Sequence, residues 1–506
     1  MSGTQRRNTD TASRAKSAAL SRHWKVAVLA AAGFVTMVSG GGTTAAASTD
    51  SAEEKPASAA AKADDQPDPQ GHGAHGGKGP GSGKDGGSSG KDGGSSGKDS
   101  GDHDKAKRGG HHDGDHGRGS HEGDHEKARS VECDPNDLIS AIVRANEVSG
   151  PGLLELSDKC TYTLTASQDG NGLPAITQRI TIIGNGATIA RAANADDFRI
   201  FEVEAGGDLR LRNLTVTRGK ADADNGGAVN VRPAGRLDLK NVTLENNTVS
   251  DVSSYEGGGV YNEGITDIRD STLDTNFGTE GAAVSNYYGK VDISRTKVTG
   301  NVSDGYATIV NEYGTTKISE SYLSYNYGFY GGALNNYGGV TEVEKSALTY
   351  NVGYYGGGIY NQYGSLYLRQ STVRDNTATD GGGGGLNLTT SAVIEDSKIV
   401  DNTATNSNGG GLSIELDDDE LGVAIRDSKI TGNQAPGNDA VGGGIYVDVN
   451  SLVTLTDSKV KGNISDEPAG GVHNDGTVVT NGKVKIIDNV PTNCDGSANP
   501  VPNCFG

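Results

Sequence analysis

The sequence predicts an all-β fold, a single-stranded parallel β-helix, from three observations. The first is a ladder of asparagines, each three places after an apolar residue: Asn247, Asn276, Asn301, Asn326, Asn351, Asn376, Asn402, Asn433, Asn463 and Asn489. Its steps are 29, 25, 25, 25, 25, 26, 31, 30 and 26 residues, a period that marks a solenoid. The second is a glycine-rich corner motif that repeats with the ladder, as in Gly257-Gly258-Gly259-Val260 and Gly356-Gly357-Gly358-Ile359. The third is strand alternation too short for helices, as in Ser365-Leu366-Tyr367-Leu368-Arg369. A hydrophobic fraction of 33% suits such a fold, whose core is one coil thick.

Residues 1–47 read as a secretory signal. Arg6, Arg7, Arg14, Lys16, Arg22 and Lys25 precede an apolar run, Val26 to Val38, that is too short to span a membrane. Ala45-Ala46-Ala47 then offers a cleavage site. The formal charge of the chain is −20. An acidic surface repels nucleic acid and anionic lipid, so neither is expected as a partner, and no membrane insertion is expected after signal cleavage. Residues 48–129 are Gly/Ser/Asp/His-rich and cannot bury enough apolar surface to offset their ordering entropy, so they read as a disordered tether.

The folded part is expected from residue 130 to residue 506. Asp134-Pro135-Asn136-Asp137 starts an amphipathic helix with Leu138, Ile139, Ile142 and Val143 on its apolar face. That helix is expected to cover the open end of the first coil, where an uncovered sheet edge invites aggregation. About 12 coils of three short strands each follow. In the best-defined coil, Ala347–Tyr350, Gly358–Asn361 and Ser365–Arg369 read as strands, and Asn351–Gly357 reads as a turn. One coil, Tyr306-Ala307-Thr308-Ile309, lacks the corner glycines, and a different turn is expected there. Four cysteines flank the repeats. The two ends lie roughly 50 Å apart at about 4.8 Å per coil, whereas a disulfide needs Cα atoms within about 7 Å. The expected pairs are therefore Cys133–Cys160 and Cys494–Cys504, as befits an oxidising, extracellular compartment.

The alternation of GGGIYN and GGALNN motifs with a small residue, an apolar residue and Asn resembles the repeats of polymorphic outer-membrane-protein-type and related secreted β-helix proteins. The resemblance runs from Val131 to Asn489 and includes the DLISAIVRAN helix. It implies a right-handed, pectate-lyase-like helix and a role in adhesion. The membrane barrel usual in the polymorphic group is not evident in this sequence, and a secreted product is expected.

Five groups of residues are candidates for function or structure. The ladder asparagines, with a second set at Asn262, Asn286, Asn311, Asn336 and Asn361, can bond to one another and to turn backbone inside the coil; the alternative is a row of sugar-hydroxyl partners outside it. Of the 19 tyrosines, 17 lie between Tyr255 and Tyr367. Tyr288, Tyr313 and Tyr363 repeat in register, as do Tyr325 and Tyr350, and Tyr330 and Tyr355. Stacked turn tyrosines either stiffen the rod or offer a face to a polysaccharide or cell-surface protein. The only Trp, Trp24, falls in the signal segment, so an aromatic platform must use Tyr.

His103, His111, His112, His116, His121 and His125 alternate with acidic residues and could hold Zn, Ni or Cu weakly in the tether. Asp417, Asp418 and Asp419 sit in an insertion where oxygen ligands could take Ca. Asp267, Asp292 and Lys317 occupy equivalent strand positions, continued by Glu342 and Tyr367, in the pattern a polysaccharide lyase or hydrolase would need. No hydrolase motif accompanies them. The function expected first is binding or adhesion, with no cofactor required; the alternatives are a polysaccharide-cleaving enzyme and a structural or metal-sequestering envelope component.

Overall fold

The computed structural model describes residues 128–222, 224–249, 256–418 and 421–506. The signal, nearly all of the tether with His103, His111, His112, His116, His121 and His125, and also Asp419, lie outside the described residues. The chain winds into a parallel β-solenoid of about 13 turns. Its strands stack, each on its equivalent one coil away, into three parallel sheets of 24, 11 and 10 strands.

The coil has one strand more than the sequence suggested. Val352–Tyr355, within the segment read as a turn, is a short strand of the 10-stranded sheet. Ile359–Gln362 belongs to the 11-stranded sheet. Ala347–Thr349 and Ser365–Arg369 both belong to the largest sheet, which bends once per coil. The bend sits at a residue with left-handed backbone, such as Lys345 at φ 48° or Gln370 at φ 49°. The extra strand was hidden because Gly353 and two tyrosines break its apolar alternation.

Inward residues form vertical rows. Ile268, Ile293, Ile318, Val343, Leu368 and Ile394 are fully buried and follow one another in register. The polar ladder runs beside them. Each ladder Asn after Asn247 accepts two hydrogen bonds from the Asn of the coil before. For example, Asn326 donates its backbone N–H (3.1 Å) and its side-chain amide (3.0 Å) to the Asn351 carbonyl oxygen. The Asn351 amide donates in turn to the Leu323 carbonyl (2.9 Å) and to the Asn376 side chain (2.9 Å). Neither end is left open. The N–H of Gly219 donates to Asn247 at the first rung, and Asn489 donates to Asn493 at the last.

The second asparagine set is internal as well: Asn311 donates to Asn336 at 2.8 Å, and the Thr341 hydroxyl donates to Asn336. A third ladder follows the bend. The backbone N–H of Ser321 donates to the Ser346 hydroxyl, and that of Ser346 to Ser371, each at 3.1 Å.

Both ends are closed. Helix Pro135–Glu147 starts at the Asp134 cap, whose carboxylate accepts from the Asn136 N–H. Its buried face is Leu138, Ala141, Ile142 and Ala145, packed on the first strands. Val143, expected on that face, is 41% exposed, because the small Ala141 and Ala145 let the helix lie close against the first coil. Disulfides join Cys133 to Cys160 (Cα–Cα 5.7 Å) and Cys494 to Cys504 (6.2 Å). No helix among the described residues is long and apolar enough to cross a membrane.

Truncating a rung strands buried donors and acceptors. Asn351→Ala is therefore expected to lower stability by about 3 kcal/mol, against less than about 0.5 for exposed Lys485→Ala. Equal denaturation midpoints for the two variants would contradict the ladder. Non-reducing peptide mapping is expected to recover the two local disulfides, and a Cys133–Cys504 peptide would contradict the separated ends.

Candidate functional site

The outward face of the largest sheet holds a shallow groove over successive coils. Register stacks Asp267, Asp292, Lys317, Glu342 and Tyr367 in one row, because each strand repeats the same inside–outside alternation. Lys290, Thr315, Val340 and Arg369 complete the lining. Charges of both signs meet within it, and several pair. Lys317 lies 3.3 Å from Glu342 and 3.8 Å from Glu344. Arg369 meets Glu342 at 3.2 Å, and its guanidinium lies 5.2 Å from the centre of the Tyr367 ring. Asp267 pairs with Arg236 at 2.6 Å. Burial, and then the neighbouring Asp267 carboxylate, push the Asp292 carboxyl above the usual aspartate range, against the pull of Lys317.

The sequence-predicted tyrosines fall on three separate corners of the coil rather than on one face. Tyr288, Tyr313 and Tyr363 stand two residues before the strands that carry Lys290, Thr315 and Ser365, so they edge the groove. Tyr288 and Tyr313 stack at 5.1 Å. Tyr337 bridges the coil between, edge-on to Tyr313 at 5.5 Å and to Tyr363 at 5.3 Å. Gly338 takes the corner there, and a Cβ on it would lie 2.6 Å from the Tyr313 ring. Tyr325 and Tyr350 stack at 5.2 Å on a second corner, just ahead of the asparagine ladder. Tyr330 and Tyr355 occupy a third, where they pack against Phe329, Tyr354 and buried Tyr360. That third group is an aromatic cluster closed on itself.

The backbone separates the first two groups from the third. Tyr288, Tyr313, Tyr325, Tyr350 and Tyr363 all have φ between 54° and 57°, the left-handed region. A bulky side chain is an outlier there. Other coils mostly fill the equivalent corners with residues suited to it, such as Gly300, Asp375 and Gly432 at the Tyr325 corner and Asn450 at the Tyr288 corner, although Thr275 and Ala234 also take left-handed backbone there. The same five tyrosines are exposed, Tyr288 by 64% and Tyr325 by 65%. Tyr306, in the coil without corner glycines, avoids the left-handed backbone of Gly281 and Gly331.

The asparagine rungs are buried and offer nothing to a ligand outside. Asp417 and Asp418 lie in a loop held by the bond from the Asp417 N–H to the Thr389 carbonyl, and burial raises the Asp417 carboxyl. Among the described residues the group compact enough for a metal ion lies elsewhere, at Glu256, Glu280 and Glu312. The sequence gives little sign of it, since the three glutamates fall 24 and 32 residues apart, and Glu312 sits at a different point of the coil from Glu256 and Glu280.

No family model and no curated protein sequence matches this chain. Among solved structures it is similar to tailspike protein 3 of bacteriophage CBA120, with 12% sequence identity and a TM-score of 0.32. That similarity covers 72% of this chain, which spans 59% of the tailspike's length.

Proposed function

We propose that this protein is an exported adhesin whose β-solenoid binds a polysaccharide along the tyrosine-edged groove. The observation that carries the reading is the set of exposed tyrosines at left-handed corners. They occupy a conformation that costs on the order of 1–3 kcal/mol, at positions where Gly, Asn and Asp serve in most of the equivalent left-handed corners, with exceptions such as Thr275 and Ala234. Stacking contributes about 0.5–1.5 kcal/mol per pair of rings, less than the combined cost of the two strained residues that make the pair. A binding role accounts for keeping them. The groove beside the first row supplies ammonium, guanidinium and carboxylate groups for hydroxyls, and Tyr367 and the Tyr288–Tyr313 pair supply flat faces for sugar rings. Repetition over adjacent coils suits a chain ligand, whose units can engage successive coils. The two disulfides fit an extracellular setting.

A second reading has one observation in its favour. Asp292, with a raised carboxyl, stands in register with Asp267, and such a pair can divide acid and base roles on a glycosidic bond. Release of reducing ends or unsaturated uronate from a polysaccharide panel, abolished by Asp292→Asn, would move the assignment to an enzyme.

On a glycan array the full chain is expected to bind a polysaccharide. Tyr313→Asn is expected to weaken binding about tenfold, the effect of losing roughly 1.4 kcal/mol, while leaving the melting temperature unchanged or higher. Full binding by a Tyr288→Asn, Tyr313→Asn, Tyr363→Asn triple variant would overturn the proposal.

A further inference from the structure

The 11-stranded sheet has an unusual outer face. Strand alternation turns Asn230, Tyr261, Ser285, Val310, Asn335 and Tyr360 outward, in register on successive coils. All six are nevertheless buried. The face is therefore a sheltered cleft between the corner before the strands and the edge where they end, not an open surface. Glu256 and Glu280 come from the corner before the strands, where their backbones bridge in parallel. Glu312 comes from the opposite edge, at the end of strand Ile309–Glu312. The three carboxylates converge above Ser285, and their oxygens lie within 4.8 Å of one another. The Ser285 hydroxyl donates to Glu256 at 2.5 Å. Glu280 is only 6% exposed.

A second observation points to a ligand in the same cleft. Asn335 is fully buried, and neither its amide nitrogen nor its carbonyl oxygen has a hydrogen-bond partner. Its neighbours Leu334 and Asn336 point into the coil, so Asn335 points out of it. It pairs with Val310, which makes it the diagonal neighbour of Glu312 on the outward side. Asn230, on the same row beyond Tyr261, is also fully buried with both side-chain polar atoms unpartnered. Buried amides left without partners are uncommon in folded proteins, and an ordered water or ion is one way to satisfy them.

We infer that Glu256, Glu280 and Glu312 form a Ca²⁺ site that ties the two edges of this cleft together. The ligands are all hard oxygens, the set that favours Ca²⁺ over transition metals. Two Ca–O bonds of about 2.3–2.6 Å span the separation of the carboxylates. Asn335, diagonal to Glu312 and without another side-chain partner, can accept a hydrogen bond from a coordinated water. Three successive coils supply the ligands, so the ion clamps the stretch where the tyrosine rows begin. Glu312 directly precedes Tyr313, and its backbone carbonyl accepts the Tyr288 N–H at 2.9 Å. Bound Ca²⁺ thus holds the corner that carries the stacked Tyr288–Tyr313 pair.

The test uses Tb³⁺ as a Ca²⁺ surrogate on the full chain, since Tyr261 and Tyr287 lie close enough to sensitise its luminescence; Tyr261 is near enough that, after burial, the Glu256 carboxylate helps raise its phenol. A saturable emission at one equivalent is expected, displaced by Ca²⁺ at lower concentration than by Mg²⁺. Glu280→Gln and, in case that buried change disturbs folding, the half-buried Glu312→Gln should each weaken Tb³⁺ binding at least about tenfold, as expected when a ligand charge is lost. Asp417→Asn should leave it unchanged. Absence of a saturable site, unchanged emission in a folded Glu312→Gln variant, or loss of the signal in Asp417→Asn alone would overturn the assignment. Because the readout needs no glycan, it stands or falls separately from the polysaccharide reading.

Discussion

Everything in this rod depends on the double hydrogen bond that each ladder asparagine after Asn247 accepts from the coil below. A coil turns sharply just before each rung, at a residue with left-handed backbone such as Asp375 or Gly432. A sharp turn inside a stack leaves N–H groups that no strand partner can reach. The carboxamide suits this place because it both donates and accepts. Its oxygen takes the N–H of the turn in the preceding coil along with that coil's amide, and its nitrogen returns a bond to a strand carbonyl. Asp could not donate, and Gln would carry one methylene too many for a dry interior. The ladder therefore satisfies the turn and fixes the vertical register together.

Register is what turns a repetitive interior into a usable exterior. Once rungs are aligned, every outward position becomes a straight row, and a change in one coil lands at a known height on a known face. The groove with Asp292, Lys317 and Glu342, the Tyr288–Tyr313 edge, and the Glu256–Glu280–Glu312 cluster are each assembled from adjacent coils in this way. The interior hardly varies between these coils, while the exterior varies widely. Core rows of Ile, Leu and Val stay in place beneath corners that carry Gly, Asp or Tyr. Recognition can change from coil to coil without disturbing the stack, as expected of a quasi-one-dimensional fold.

The fold was legible because its rungs are chemically demanding. Only Asn meets the requirement at the main ladder, so it repeats visibly, and the corner glycines repeat for a steric reason: a Cβ on Gly357 would lie 2.2 Å from the Gly384 carbonyl oxygen. The serine ladder is just as regular, at Ser321, Ser346 and Ser371, but serine is common on surfaces and its period is easy to overlook among solvated hydroxyls. The short strand Val352–Tyr355 escaped because its four residues, with Gly353 among them, carry too little alternation to read. Tyrosine spacing showed which rings align vertically but not which corner each row occupies. That depends on where left-handed residues fall, and a tyrosine gives no sign of left-handed backbone. The glutamate cluster was the least legible part, since it joins opposite edges of a cleft across coils of unequal length.

Hydrogen–deuterium exchange of the full chain, read by peptide across successive coils, tests the ladder most directly. The account predicts that backbone amides at Asn301, Asn326, Asn351 and Asn376 fall in the slowest class and exchange together, far more slowly than the loop around Asp417. Rung amides that exchange as fast as that loop would contradict the claim that the asparagine ladder holds the coils in register.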